Sequence, residues 1–404
     1  MINNPSYEYA QEILISAIEP IGTEKISLSE CAGRVLACDL IVRENVPAFD
    51  RSPYDGYAFR SVDTLTASKE NPVTLQITEE IPAGGVPTKE ITAKMAAKVL
   101  TGAPIPNGAD AVIMYEKTSF TAASVTIFSP VKAGSNIVHA GEDIKKGNVL
   151  AAAGMIIDPG LGAMLAAQGE KNPVVFRIPR VAVLSTGSEL VEADETPLPG
   201  KIRNTNRFMI ETALKQLGCE PVYLGIAGDS VRDISALISK GVNECDAIII
   251  TGGVSAGDYD FTSAAMEDIG TKMLFRGVDI KPGMACAYGI KEGKPICALS
   301  GNPASALTNF YAVAMPALKK LLGRYPYLTR EVKVILANDF DKKSTKTRLL
   351  RGQLDLSDGT ARMLFSADQG NAVIRTAIGC DVMAVIPAGS GPVEAGRVLR
   401  GFLL

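Results

Sequence analysis

Asp246-Ala-Ile-Ile-Ile-Thr-Gly-Gly-Val-Ser-Ala-Gly-Asp-Tyr-Asp-Phe261 sets an apolar run, a glycine loop and carboxylates side by side. Ala247 to Ile250 predict a strand buried on both faces, and a helix is expected from about Thr262. Gly252, Gly253 and Gly257 let backbone N–H groups approach an anion, with Ser255 offering a hydroxyl. Asp258 and Asp260 would repel that anion unless a hard cation lies between them. The run therefore points to a phosphate-bearing ligand held with Mg²⁺. An ordinary strand–loop–helix turn is the competing reading.

Other loops repeat the pattern. Leu184-Ser-Thr-Gly-Ser-Glu-Leu190 follows an apolar strand and offers Thr186, Gly187 and Glu189. Asp229 follows another strand, where it joins the same crevice or, with Ser230, caps a helix. Lys281-Pro-Gly-Met-Ala-Cys-Ala-Tyr-Gly289 adds a cation. Leu299-Ser-Gly-Asn-Pro-Ala-Ser-Ala306 adds Gly301, Asn302, Pro303 and Ser305 before a helix, with Pro303 suited to its first turn. Parallel strands end on one edge of a sheet, so these loops are expected to line one crevice. Nearer the N-terminus, Pro47 to Tyr57 concentrates Asp50, Arg51, Tyr54, Asp55 and Tyr57. Gly141-Glu-Asp-Ile-Lys-Lys-Gly147 is a second acidic loop containing Asp143, or else a solvated turn.

The elements that must position these residues fall into zones. Tyr7 to Ile18 has a helical apolar face. Residues 40–150 alternate short β-type runs (74–77, 111–114, 124–128) with Gly/Pro punctuation, an all-β pattern. From Arg180 to Leu322 strands at 181–184, 221–225 and 247–250 alternate with helices at 206–217, 230–240, 262–269 and a long one over 304–322. That alternation predicts a doubly wound, mostly parallel α/β sheet. Residues 323–326 read as a linker, and 330–404 is again β-like.

Composition narrows the chemistry. The 404 residues call for two to four domains. A net charge of −3 gives no reason to expect nucleic acid or an anionic membrane. No apolar stretch is long enough for a membrane span, and the first residues have neither a basic leader nor an apolar signal core, so a cytoplasmic protein is expected. Seven cysteines without a C-x-x-C pair predict buried, reduced thiols. His139 is the sole histidine and reads as a loop residue and not a catalyst, so a Ser-His-Asp triad and a His-rich metal site are not expected, and acid–base work falls to carboxylates, lysines, tyrosines or metal-bound water.

Asp50 to Gly56 (D-R-S-P-Y-D-G) resembles a variant of the D-x-S-x-x-D-G-Y motif of the molybdopterin molybdenumtransferases, the MoeA family, which includes the E domain of gephyrin. Thr101-Gly-Ala-Pro-x-Pro-x-Gly-Ala-Asp110, Gly141-Glu-Asp-Ile144, Ser185-Thr-Gly-x-Glu-Leu190, Asn204-Thr-Asn206, Thr251-Gly-Gly-Val-Ser-x-Gly257, Lys281-Pro-Gly283 and Gly301-Asn-Pro-x-Ser305 follow in that family's order. The resemblance implies four domains: an elongated one (1–50 with 145–178), an inserted β domain (51–144), the α/β molybdopterin-binding domain (179–326) and a β-barrel-like domain (327–404). It implies a homodimer with the cleft shared between two copies. It also implies a Mg²⁺-dependent reaction of adenylylated molybdopterin with molybdate that releases AMP. On the same resemblance Asp55, Thr101, Asp143 and Glu189 take catalytic roles. Asp229 and Asp260 help hold the cation, and Thr186, Gly187, Gly252, Gly253, Ser255, Lys281, Gly301, Asn302, Pro303, Ser305 and Arg351 contact substrate. The adenylyltransferase that makes the substrate is a further candidate partner.

The chain departs from the family pattern in its cations. Met284 stands where many relatives have a second lysine, Val138 where many have arginine, Asn371 where serine is common, and Ser300 where proline is usual. Methionine and valine cannot make charge-assisted bonds to an oxyanion. Arg351, Arg348 and Lys281 are the cations that remain for it. A divergent paralogue with altered oxyanion use and a non-catalytic dimeric scaffold are the competing functions. An adenylyltransferase is a third, disfavoured because likeness to one would stop at the α/β domain.

Overall fold

The computed structural model describes residues 1–254 and 260–404. Its chain divides into two compact units, Met1–Cys38 with Ala153–Pro159 and Asn172–Leu404, and Asp39–Ala152 with Gly160–Lys171.

The first unit is built on a seven-stranded sheet in the order Ile2–Asn3, Lys272–Arg276, Cys286–Lys291, Lys294–Leu299, Ala247–Thr251, Arg180–Thr186, Glu220–Ala227. The last four run parallel, and Cys286–Lys291 is antiparallel to both neighbours. Successive side chains of a strand face opposite sides. Val181, Val183, Ala247, Ile249, Cys297 and Leu299 therefore enter one core, and Ala182, Leu184, Ile248, Ile250, Ile296 and Ala298 enter the other. Burial on both faces explains the unbroken apolar runs.

Side-chain caps fix where the covering helices start. Asn204 accepts from Arg207 N ahead of Thr205–Leu217, Ser230 from Asp233 N ahead of Val231–Glu244, and Asp260 from Ser263 N ahead of Phe261–Asp268. The expected helix over 304–322 is divided. Pro303–Asn309 and Met315–Leu321 flank a π-helical turn, Phe310–Ala314, in which Met315 N–H bonds Phe310 O. Pro316 brings no N–H to the next position, and the wider turn accommodates it.

The last part of this unit closes on itself. Thr347–Asp355, Arg362–Leu364, Glu331–Leu336, Val398–Leu403 and Val382–Ile386 pair in that order, and Val382–Ile386 returns to Thr347–Asp355. The barrel core holds Val334, Leu336, Phe340, Leu350, Met363 and Ile386. Ile280–Lys281, from the α/β region, adds a short parallel strand beside the start of Thr347–Asp355.

The second unit carries a six-stranded sheet in the order Ala111–Met114, Gly56–Phe59, Met95–Val99, Val73–Ile81, Ser124–Ile127, Thr118–Phe120. It buries Tyr57, Phe59, Leu75 and Ile113 on one face and Ala58, Ala97, Val99 and Val112 on the other. Leu40–Ile41 pairs with Val149–Ala151. No helix among the described residues is long and apolar enough to cross a membrane. The cysteines are unpaired, and Cys31, Cys219, Cys245, Cys286 and Cys297 are buried as expected, whereas Cys38 is exposed and Cys380 half-buried.

Candidate active site

Chain connections leave the strand Arg180–Thr186 on one side toward Glu220–Ala227, then cross back to Ala247–Thr251 on the other. Beyond the carboxyl ends of such strands lies the usual ligand crevice of an open α/β sheet. A cavity of about 270 Å³ lies there, lined by Thr186, Gly187, Glu189, Asp229, Gly252, Gly253, Val254, Phe261 and Gly301. Four of the five loops expected to share a crevice do so, and the loop of residues 281–289 is not part of its lining.

Backbone conformation sets its shape. Gly252 and Gly253 have φ of +98° and +64°. A Cβ on Gly253 would stand 2.7 Å from Thr186 Oγ1, and one on Gly252 would also press on Thr186 O. Glycine is required on both counts. Thr262 Oγ1 donates to Gly252 O at 3.0 Å, and Ser185 Oγ lies 3.1 Å from both Asn204 Oδ1 and Thr251 Oγ1. Asn206 Nδ2 donates to Gly301 O at 2.8 Å, tying the 300–302 loop to the helix Thr205–Leu217. Thr186 Oγ1 and Asn206 Oδ1 are buried with no hydrogen-bond partner among the described residues. Orphaned buried polar atoms in a cleft are what a polar ligand would satisfy.

Asp229 Oδ2 accepts from Ser188 N at 3.1 Å, while Ser230, not Asp229, caps the following helix. The two alternatives for that pair are thus divided between neighbouring residues. Asp260 caps its own helix through Oδ1 at 3.1 Å and does not line the cavity. Ser255, with Gly257 and Asp258, lies outside the described residues. No group of three or more His, Cys, Asp or Glu side chains gathers among the described residues.

Gly301 leads from this cavity into Pro303–Asn309, whose far end meets a second polar cluster. Arg351 is fully buried. Its Nε donates to Thr376 Oγ1 at 3.1 Å and its Nη1 to Thr308 Oγ1 at 3.3 Å. Its Nη2 is buried without a partner among the described residues. Burial pulls the guanidinium below its ordinary pKa, with a smaller opposing pull from Cys380. Arg348, also buried, donates from Nε to Ser344 Oγ at 3.2 Å and lies over the Phe340 ring at 5.1 Å. Neither arginine has an ion pair among the described residues. Lys281 is exposed and pairs in register with Arg348. Asn371 O accepts from Ala304 N at 3.1 Å, Ser305 is buried, and Asn302 N–H bonds Ser300 Oγ at 3.2 Å.

The second unit holds the remaining expected residues. Asp55 Oδ1 accepts from Thr101 N at 2.6 Å and Thr101 Oγ1 at 2.8 Å. These bonds hold its carboxyl below the ordinary aspartate range. Asp50 Oδ1 accepts from Ala140 N at 2.7 Å and Oδ2 meets His139 Nδ1 at 3.0 Å, which lowers that carboxyl too, Ala140 first. Asp143 is exposed on a turn that bonds back to Val46 and Pro47. Asp55 and Thr101 are brought together, and among the described residues no hydrogen bond joins Asp143 to them. Sequence reading missed the Asp50–His139 pair, Thr308, Asn309 and Thr376. Thr308 and Asn309 lie three and four residues past Ser305, a spacing that puts them near its face of the helix.

A glycine-lined crevice with carboxylates at the switch point of a mostly parallel sheet marks an open α/β fold with its ligand crevice in the usual place. Residues 5–169 match the MoeA N-terminal region (domain I and II), 182–320 a probable molybdopterin binding domain, and 333–400 the MoeA C-terminal region (domain IV). The chain is 36% identical over 374 residues to a molybdopterin molybdenumtransferase of Staphylococcus epidermidis, covering 93% of this chain and 89% of that one. It is 34% identical over 387 residues to the Bacillus subtilis protein of the same name, covering 95% and 90%. The crystal structure of a molybdopterin biosynthesis moeA protein from Pyrococcus horikoshii superposes with a TM-score of 0.86 at 34% identity, covering 99% of this chain and 100% of that one. The chain belongs to the molybdopterin molybdenumtransferase (MoeA) family.

Proposed function

We propose that this chain takes molybdenum from molybdate into adenylylated molybdopterin with release of AMP, completing molybdenum cofactor. The observation that carries this reading is the cavity at the sheet switch point, where glycine backbone and two carboxylates face one space. The backbone around Gly187, Gly252 and Gly253 admits the pyrophosphate, and Thr186 Oγ1 supplies a hydroxyl that has no partner among the described residues. Arg351 Nη2 and Lys281 receive the oxyanion. Glu189 orients the reacting groups in this cavity; the family resemblance also gives catalytic roles to Asp55, Thr101 and Asp143 of the second unit.

The donor set suits Mg²⁺. The cavity presents hard carboxylate oxygens from Asp229 and Glu189, and no cage of three or more protein ligands among the described residues. Mg²⁺ is usually held by one or two carboxylates together with substrate phosphates. Asp229 would hold it; Asp260, the second carboxylate that the family resemblance implies, keeps its Oδ1 on the cap of its own helix. When bound, the ion supplies positive charge against the pyrophosphate as AMP departs.

Incubation with adenylylated molybdopterin tests the reading. AMP release that needs Mg²⁺ and rises with molybdate supports it, and release indifferent to molybdate overturns it. One observation favours a second reading, a scaffold: an apolar groove of about 680 Å³ lined by Tyr7, Ile15, Tyr325, Pro326, Leu328 and Phe402. A chain that releases no AMP under these conditions would support that alternative.

A further inference from the structure

The oxyanion cations come from different parts of the first unit. Lys281 sits at the edge of the α/β region, and Arg351 projects from the barrel strand Thr347–Asp355. The short helix Pro303–Asn309 touches the anchorage of both. Thr308 Oγ1 receives Arg351 Nη1 at 3.3 Å. The next residue, Asn309, donates from Nδ2 to Gly283 O at 2.7 Å. Consecutive helix residues point about 100° apart, so one turn addresses two directions. Gly283 lies close against this helix: its φ is +108°, and a Cβ there would stand 3.1 Å from Ser305 O and 3.5 Å from Asn309 Cβ.

Asn309 is itself fixed from behind. Its Oδ1 accepts the Tyr288 hydroxyl, and both side chains are fully buried. The Tyr288 ring stacks on Phe275 with centroids 4.8 Å apart. Burial pushes the Tyr288 phenol well above its ordinary pKa, so it stays a proton donor. An amide that accepts from Tyr288 can orient in only one way, with its NH₂ toward Gly283. A bland account makes Asn309 a satisfied polar residue of the core. That account leaves unexplained why one N–H of the amide goes to the loop that carries Lys281.

We propose that Asn309, oriented by Tyr288, is a positioning residue that sets Lys281 for the oxyanion through the carbonyl of Gly283. The inference rests on the proposed role of Lys281 as an oxyanion ligand. Asn309 acts on the loop and touches no substrate, so its loss should raise the molybdate concentration needed for AMP release and leave affinity for adenylylated molybdopterin alone.

A double-mutant cycle in the full-length chain tests this. Asn309→Ala is expected to raise the half-saturating molybdate concentration about tenfold, the scale of one buried hydrogen bond, and Tyr288→Phe to shift it the same way by less. Lys281→Ala should raise it as well, and adding Asn309→Ala to Lys281→Ala should change it no further. Additive effects would overturn the proposal, because Asn309 would then act by another route. A Lys281→Ala effect with none from Asn309→Ala overturns the positioning role alone. No effect of Lys281→Ala removes the oxyanion role of Lys281 and the proposal with it. Where Asn309→Ala lowers thermal stability enough to prevent assay, Tyr288→Phe, which keeps the ring packing, carries the same cycle.

Discussion

A buried guanidinium without an ion pair is costly, and Arg351 forms none among the described residues, with Asp368 only a minor electrostatic contributor. The hydroxyls that receive its protons keep partners of their own, Thr308 Oγ1 donating to Ala304 O at 2.7 Å and Thr376 Oγ1 to Val373 O at 2.9 Å. Arg351→Met is therefore expected to leave the melting temperature unchanged or slightly higher while weakening the molybdate response at least about tenfold. Calorimetry beside AMP-release titrations reads both quantities, and a stable variant with full molybdate response would refute the role. Asp55 gives a pH signature. Thr101 favours its charged form, so the folded pKa lies below the unfolded one. Whatever the pair adds to stability is full above the ordinary aspartate range and disappears as pH falls through the lowered value. If charged Asp55 is the working form, Thr101→Val should move the acid limb of the pH–rate profile upward. An acid limb that stays in place would separate Asp55 from that ionisation.

At the scale of elements, the strand-end loops carry the site because glycine allows backbone that other residues resist. Gly252→Ala is expected to cost on the order of 1–3 kcal/mol from its positive φ, with further loss from contact with Thr186. Thermal unfolding and binding of the adenylylated pterin should both show the loss, and an unchanged melting temperature would count against a strained loop. These strands were legible because burial on both faces leaves long apolar runs such as Ala247–Thr251. The antiparallel pair Lys272–Arg276 and Cys286–Lys291 was not, since lysines and arginine at their ends and Gly289 within interrupt any run. The turn Phe310–Ala314 was hidden for another reason: a π-helical turn keeps the apolar content of a helix and changes only its hydrogen-bond spacing. Of the site, glycine loops and acidic residues announced themselves by type. Asp50 and His139 did not, because their pairing joins positions 89 residues apart. Thr308 and Asn309 looked like helix interior, and only the tertiary partners show what they hold.

For the whole molecule, the MoeA family membership covers nearly the full chain, so its activity is expected to need every part of it. The homodimer implied by the resemblance predicts a sedimenting mass twice the 42.6 kDa of one chain. Analytical ultracentrifugation across a dilution series measures it, and a single-chain mass at working concentration would remove the dimer from the functional account.

Ile280–Lys281 is a two-residue strand with a large mechanical consequence. It welds the rim of the barrel to the α/β region by main-chain hydrogen bonds, so the barrel cannot swing on a hinge without tearing them. Excising residues 327–404 would leave raw edges on both pieces, with the backbone groups of Thr347 and Arg348 bared to any passing strand. In deuterium-labelling experiments the amides flanking that seam should consequently open together, as one cooperative block, and not domain by domain.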